Sequence, residues 1–199
     1  MKKELILYKK VNLIENRPLL QLLSRLSLTI FLLLLLVPVG YIYIAMNDSV
    51  LKNELSFFDF NAKTNLVRIT LFLSEKLIGI ILLFFISLVL HEAIHGLFFK
   101  VFGAKKVTFG FKRGMAYAEA SGSCFRAWQF KVIALSPFVG LSLLYLILAQ
   151  YIPISAFLLF ALHTSGCVGD FYFIYLLIKF KEIDWIEDTE TGINLYKKN

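Results

Sequence analysis

The sequence predicts an all-α integral membrane protein of about four transmembrane helices, with a small β-hairpin at the cytoplasmic edge between the second and third. Three observations carry this. Hydrophobic residues make up 58% of the 199 positions and charged residues only 18%, against about 45–50% and about 25% in soluble domains. The mean hydropathy is +0.73. Apolar residues gather into four blocks, each long enough to cross a hydrocarbon core of about 30 Å as a helix of about 20 residues. This composition excludes a disordered chain and an ordinary soluble domain.

The spans run roughly over 26–46, 77–99, 132–151 and 152–178. The apolar run of the first is longer than a signal-peptide core, and no small-residue cleavage site follows it, so it reads as a retained anchor. Pro153 fits a tight turn before the fourth span, or that span's first helical turn. Between spans two and three, Val107–Phe111 and Met115–Glu119 alternate around Lys112-Arg113-Gly114, which predicts a hairpin. The chain reads as one membrane domain, 1–199, with residues 179–199 as a cytoplasmic tail. Cys124 and Cys167 are too few for a disulfide framework.

Charge sets the expected orientation. Residues 100–131 hold seven basic side chains against Glu119 alone, and residues 1–25 hold six basic against two acidic. The positive-inside rule places both segments, and with them the N- and C-termini, in the cytoplasm. The net charge of +7 is then explained by loops facing anionic lipid. The expected partners are membrane lipid and a membrane protein or peptide substrate, with no nucleic acid. Oligomeric state is not readable.

Five ionisable side chains fall inside the spans: His91, Glu92, His95, His163 and Asp170. A charge at a helix centre costs roughly 2.5–3.5 kcal/mol on insertion scales, so such residues are paired, ligated or functional. His91-Glu92-Ala93-Ile94-His95 is an H-E-x-x-H run, for which composition predicts only about 0.002 chance occurrences. On a helix, i and i+4 share a face. Two imidazoles there can hold one Zn²⁺, and Glu92 beside them can take a proton from water.

A catalytic zinc site takes a third protein ligand. Asp170 is the leading candidate, because the assumed topology puts it at the depth of His91 and His95. His163, seven residues earlier, is its rival, or else a partner standing behind the ligands or a satisfied core histidine. The small residues Ser165-Gly-Cys-Val-Gly169 allow close helix approach. Ser136-Pro137-Phe138 either opens a kink near the site or merely packs.

His91–His95, Ser165–Asp170 and the four-span layout together resemble a family of small bacterial membrane proteins labelled putative zincin peptidases, formerly a domain of unknown function. The resemblance covers roughly residues 70–180. It extends distantly to the site-2 proteases, in which the aspartate usually stands as Asp-Gly; here the order is Gly169-Asp170. The resemblance implies zinc on His91, His95 and Asp170, with Glu92 as catalytic base. The expected function is an intramembrane zinc metalloprotease hydrolysing a peptide bond of a membrane-embedded or membrane-adjacent substrate in the bacterial plasma membrane. The alternative is a catalytically inactive partner-binding or immunity-type membrane protein with a structural metal. An ion transporter would need a polar path across all the spans, which the outer halves do not supply.

Overall fold

Apolar helices dominate the chain because its long runs of Leu, Ile, Phe and Val carry so few charges. The computed structural model describes residues 5–13, 15–44, 66–112 and 115–198. A strand, β1 (Leu5–Asn12), precedes the helices α1 (Arg17–Ile44) and α2 (Leu66–Val101). Three short strands follow, β2 (Thr108–Lys112), β3 (Met115–Glu119) and β4 (Cys124–Arg126). The chain continues through α3 (Ala127–Leu148), α4 (Pro153–Gly166) and α5 (Val168–Lys179), and closes with β5 (Trp185–Thr189) and β6 (Gly192–Lys198). The connection between α1 and α2, residues 45–65, and the hairpin-tip residues Arg113 and Gly114 lie outside the described residues.

Among the described residues three helices are long and apolar enough to cross a membrane: α1 over Arg17–Val37, α2 over Leu77–Val101, and α3. The fourth apolar block is not a plain span. It breaks at Cys167 into α4 and α5, which meet at a bend of 49°. Pro153 opens α4, where its missing N–H costs nothing.

The all-α expectation is wrong. Residues from both ends of the chain and its middle form a four-stranded antiparallel sheet in the order β1-β6-β5-β4. Period-2 alternation drives it. Ile186 and Asp188 face inward from β5, and Ile193 and Leu195 from β6. These apolar side chains pack with Phe99 of α2, Phe130 and Ile133 of α3, and Leu176 and Leu177 of α5. The sheet therefore caps one end of the helices and extends their core.

The β2–β3 pair forms a separate antiparallel hairpin, with Thr108 opposite Glu119 and Lys112 opposite Met115. It lies on α2 at Gly96, where a side chain would collide with the Phe109 ring. The glycine after His95 thus leaves room for the Phe109 ring of β2.

Gly192 starts β6 opposite Asn12 and Thr189. A Cβ there would strike the Val11 carbonyl, and the backbone has φ +156°. Gly192→Ala should lower stability by about 1–3 kcal/mol through overpacking. Denaturant melts should show that loss, and amide exchange should show it concentrated in β1 and β6.

Candidate metal centre

The centre begins with helix periodicity. One turn of α2 puts His91 and His95 side by side, their Nε2 atoms 3.1 Å apart. Asp170, on the first turn of α5 just after the break at Cys167, completes the cluster with its side chain. Its Oδ2 lies 3.3 Å from His91 Nε2 and its Oδ1 3.4 Å from His95 Nε2. Both histidines are buried.

Proton bookkeeping tests whether a metal fits. His95 Nδ1–H donates to the Ile133 carbonyl at 3.0 Å, which leaves Nε2 of the neutral ring as a lone pair. That lone pair faces a second imidazole nitrogen and a carboxylate. Tetrahedral zinc with N and O ligands spaces its donor atoms roughly 3.2–3.6 Å apart. The observed 3.1–3.4 Å separations and the two-imidazole, one-carboxylate donor set fit Zn²⁺.

The Ile133 carbonyl is available for a reason written in the sequence. Pro137 sits inside α3 and has no N–H, so the carbonyl four residues earlier loses its helical partner. That carbonyl belongs to Ile133, and it accepts instead from His95 and from Ser136 Oγ, at 2.9 Å. The Ser136-Pro137 pair is therefore neither a simple kink nor mere packing; it frees the acceptor that sets the tautomer of His95.

His163 does not join this cluster. Its Nε2 lies 3.1 Å from His91 Nδ1, on the other side of that ring. With a cation on His91 Nε2, the Nδ1–H donates to His163. His163 stacks on Phe138, with 8° between the rings, and packs edge-on against Tyr145. Cys167 Sγ stands 3.6 Å from His163 Nε2.

Glu92 is one residue round the helix from His91. The backbone N–H of Ala118 in β3 hydrogen-bonds its carboxylate. Two residues on, the Ala120 N–H donates to Asp188 Oδ2 at 3.0 Å. Alternate N–H groups of an extended strand point the same way, so the edge of β3 away from β2 faces the site. A cavity of about 610 Å³ adjoins it, lined among others by His91, Glu92, His95, Ala116, Asp170 and Asp188. Glu190, one of its lining residues, is ion-paired with Lys112 at 2.7 Å.

Sequence reasoning missed Asp188. Its neighbours Glu187 and Glu190 made the segment read as a solvated tail, yet its alternation with Ile186 marks it as inward-facing. Burial pushes its carboxyl up to about 7, opposed by the Ala120 hydrogen bond.

A buried centre of two imidazoles and a carboxylate on apolar helices, with a glutamate beside it, defines the class of zinc-binding hydrolase sites. Residues 84–184 match the family model described as "putative zincin peptidase", and the chain belongs to that family. No curated protein and no solved structure matches it.

Two outcomes follow. Pro137→Ala restores an N–H that competes for the Ile133 carbonyl, so zinc affinity should fall about 10-fold, in line with losses of supporting hydrogen bonds. The metal-free protein should melt no lower than wild type, since alanine favours a helix. Competition with a chelator and metal-free melts check both halves.

Asp188 supplies a pH test. Between its ordinary 3.8 and about 7 the native state holds a proton that the unfolded state has lost. Its contribution to stability is full below that window, falls as pH rises through it and levels off above. Asp188→Asn should remove this part of the slope. Melts of both proteins from pH 4 to 8 measure the difference.

Proposed function

We propose that this chain is an intramembrane zinc metallopeptidase, with zinc on His91, His95 and Asp170 and Glu92 as the general base. The observation that carries the reading is the convergence of three donor atoms beside a carboxylate held against an open strand edge. Zinc held there supplies a Lewis acid for the scissile carbonyl and for the attacking water. Glu92 takes the proton from that water and returns it to the departing amine. The Ala118 N–H keeps its carboxylate oriented for both transfers.

The substrate enters as an extended segment. Ala116 lies two residues before Ala118, so its N–H and C=O point from the same edge of β3 into the cavity. An extended peptide adding to that edge would place a carbonyl beside the donor cluster. Phe84, Phe85 and Leu88 of α2 also line the cavity, which suits an apolar segment leaving the bilayer. The clusters Lys100, Lys105 and Lys106, with Arg126, lie on the side of the sheet and favour a cytoplasmic placement for it and for both chain ends.

The inactive alternative needs a closed coordination shell. His163 and Cys167 stand behind His91 rather than beside Asp170, and a cavity adjoins the cluster, so the geometry favours an open shell.

Glu92→Gln should lower cleavage about 10²–10⁴-fold, the usual contribution of a general base, with zinc content unchanged. Comparing N-terminal peptides from membranes carrying wild type or the variant, alongside metal analysis, tests this. Equal cleavage by both would remove Glu92 from the mechanism.

A further inference from the structure

Behind the zinc donors stands a second cluster that the proposed chemistry does not use. His91 Nδ1 and His163 Nε2 are 3.1 Å apart. Cys167 Sγ lies 3.6 Å from His163 Nε2 and 3.9 Å from His91 Nδ1. All three residues are buried, Cys167 completely, and the three donor atoms could share one ion. Zinc–nitrogen and zinc–sulfur bonds of about 2.0–2.3 Å put tetrahedral donors roughly 3.3–3.6 Å apart, close to these separations.

The last turn of α4 builds the cluster. The Cys167 N–H still reaches the His163 carbonyl at 3.1 Å, so the two side chains stay one turn apart and face His91 together. The other nitrogen of His163, Nδ1, is buried without a hydrogen-bond partner. Nothing on that side anchors the ring, so His91, Cys167 and the flanking aromatic rings set its position. The cavity that reaches the first donor cluster also touches His163 and Gly166 and gives an ion its way in.

We propose that His91 Nδ1, His163 Nε2 and Cys167 Sγ form a second cation site, one that takes a thiophilic d¹⁰ ion. The donor set differs from the first by a thiolate in place of a carboxylate, which selects Cd²⁺, Cu⁺ or Zn²⁺ in excess over harder ions. Loading it releases two protons, one from the Cys167 thiol and one from His91 Nδ1, with no change of oxidation state. His91 then bridges two cations. A donor shared in this way holds each ion less firmly, so filling the second site loosens the first and inhibits the peptidase. This last consequence rests on the proposed zinc chemistry; the site itself does not.

The test uses the full chain in detergent, loaded with one equivalent of Zn²⁺ and titrated with Cd²⁺. The expected result is an ultraviolet thiolate-to-cadmium band that saturates at one equivalent with zinc still bound. The band should vanish in Cys167→Ser, persist in Cys124→Ser and need at least about 10-fold more Cd²⁺ in His163→Gln. Far-ultraviolet circular dichroism of each variant establishes that it is folded. In Asp170→Ala the zinc equivalent should be lost while the band remains, which separates failure of the first site from failure of the second. A missing band in folded wild type, a band indifferent to Cys167→Ser, or one-for-one displacement of zinc by cadmium would overturn the proposal.

Discussion

Everything at this centre follows from one constraint: polar atoms among apolar helices must find partners within the protein. Water is scarce there, and each unmatched group costs several kcal/mol. His91, His95 and Asp170 answer to this by converging on one point. Three facing acceptors repel unless a cation or a proton lies between them. The cluster is therefore stable only in company, and the arrangement that makes it costly empty is the one a cation fits.

The constraint reaches outward through the backbone. Placing a histidine in one tautomer takes a fixed acceptor, and a helix normally spends all its carbonyls internally. Pro137 releases one at Ile133, at the height of His95. A helix defect on α3 thereby becomes a structural part of a site on α2. On the far side, the β3 edge gives the Glu92 carboxylate a backbone donor. Helices supply the ligands, while strands and a helix flaw supply their orientation.

Much of this was legible in the sequence, and the illegible part has a physical cause. The H-E-x-x-H run announced itself because ionisable residues are rare in apolar spans. The β2–β3 hairpin was visible because its alternation is local and flanks a turn. The four-stranded sheet was not, since β1 reaches β6 from the other end of the chain, Leu5 pairing with Lys198, and β4 reaches β5 from the middle, Cys124 pairing with Glu187; only the β5–β6 hairpin is local. Charges on the outward faces of β1, β5 and β6 disguised them as loop and tail. Pairing partners at such separation leave no local signature, and only the inward row of Ile186, Asp188, Ile193 and Leu195 hints at a buried face. The break at Cys167 was hidden for another reason: the small residues of Ser165–Gly169 suit close packing of an unbroken helix equally well.

The sheet also divides labour along the chain. The donor atoms, Glu92 and the β3 edge all fall within residues 84–184, the segment that matches the family. The roof over the cavity, with Asp188, Thr189 and Glu190, lies just beyond it. Chemistry and access thus occupy different stretches of sequence. Asp188 and Glu190 line the cavity from β5 and its turn, and are tied to the β2–β3 side by the Ala120 hydrogen bond and the Lys112–Glu190 contact. An exposed ion pair of this kind is a weak clasp, screened by salt. A lining residue held by such a contact is free to shift, while the buried donors stay fixed by packing.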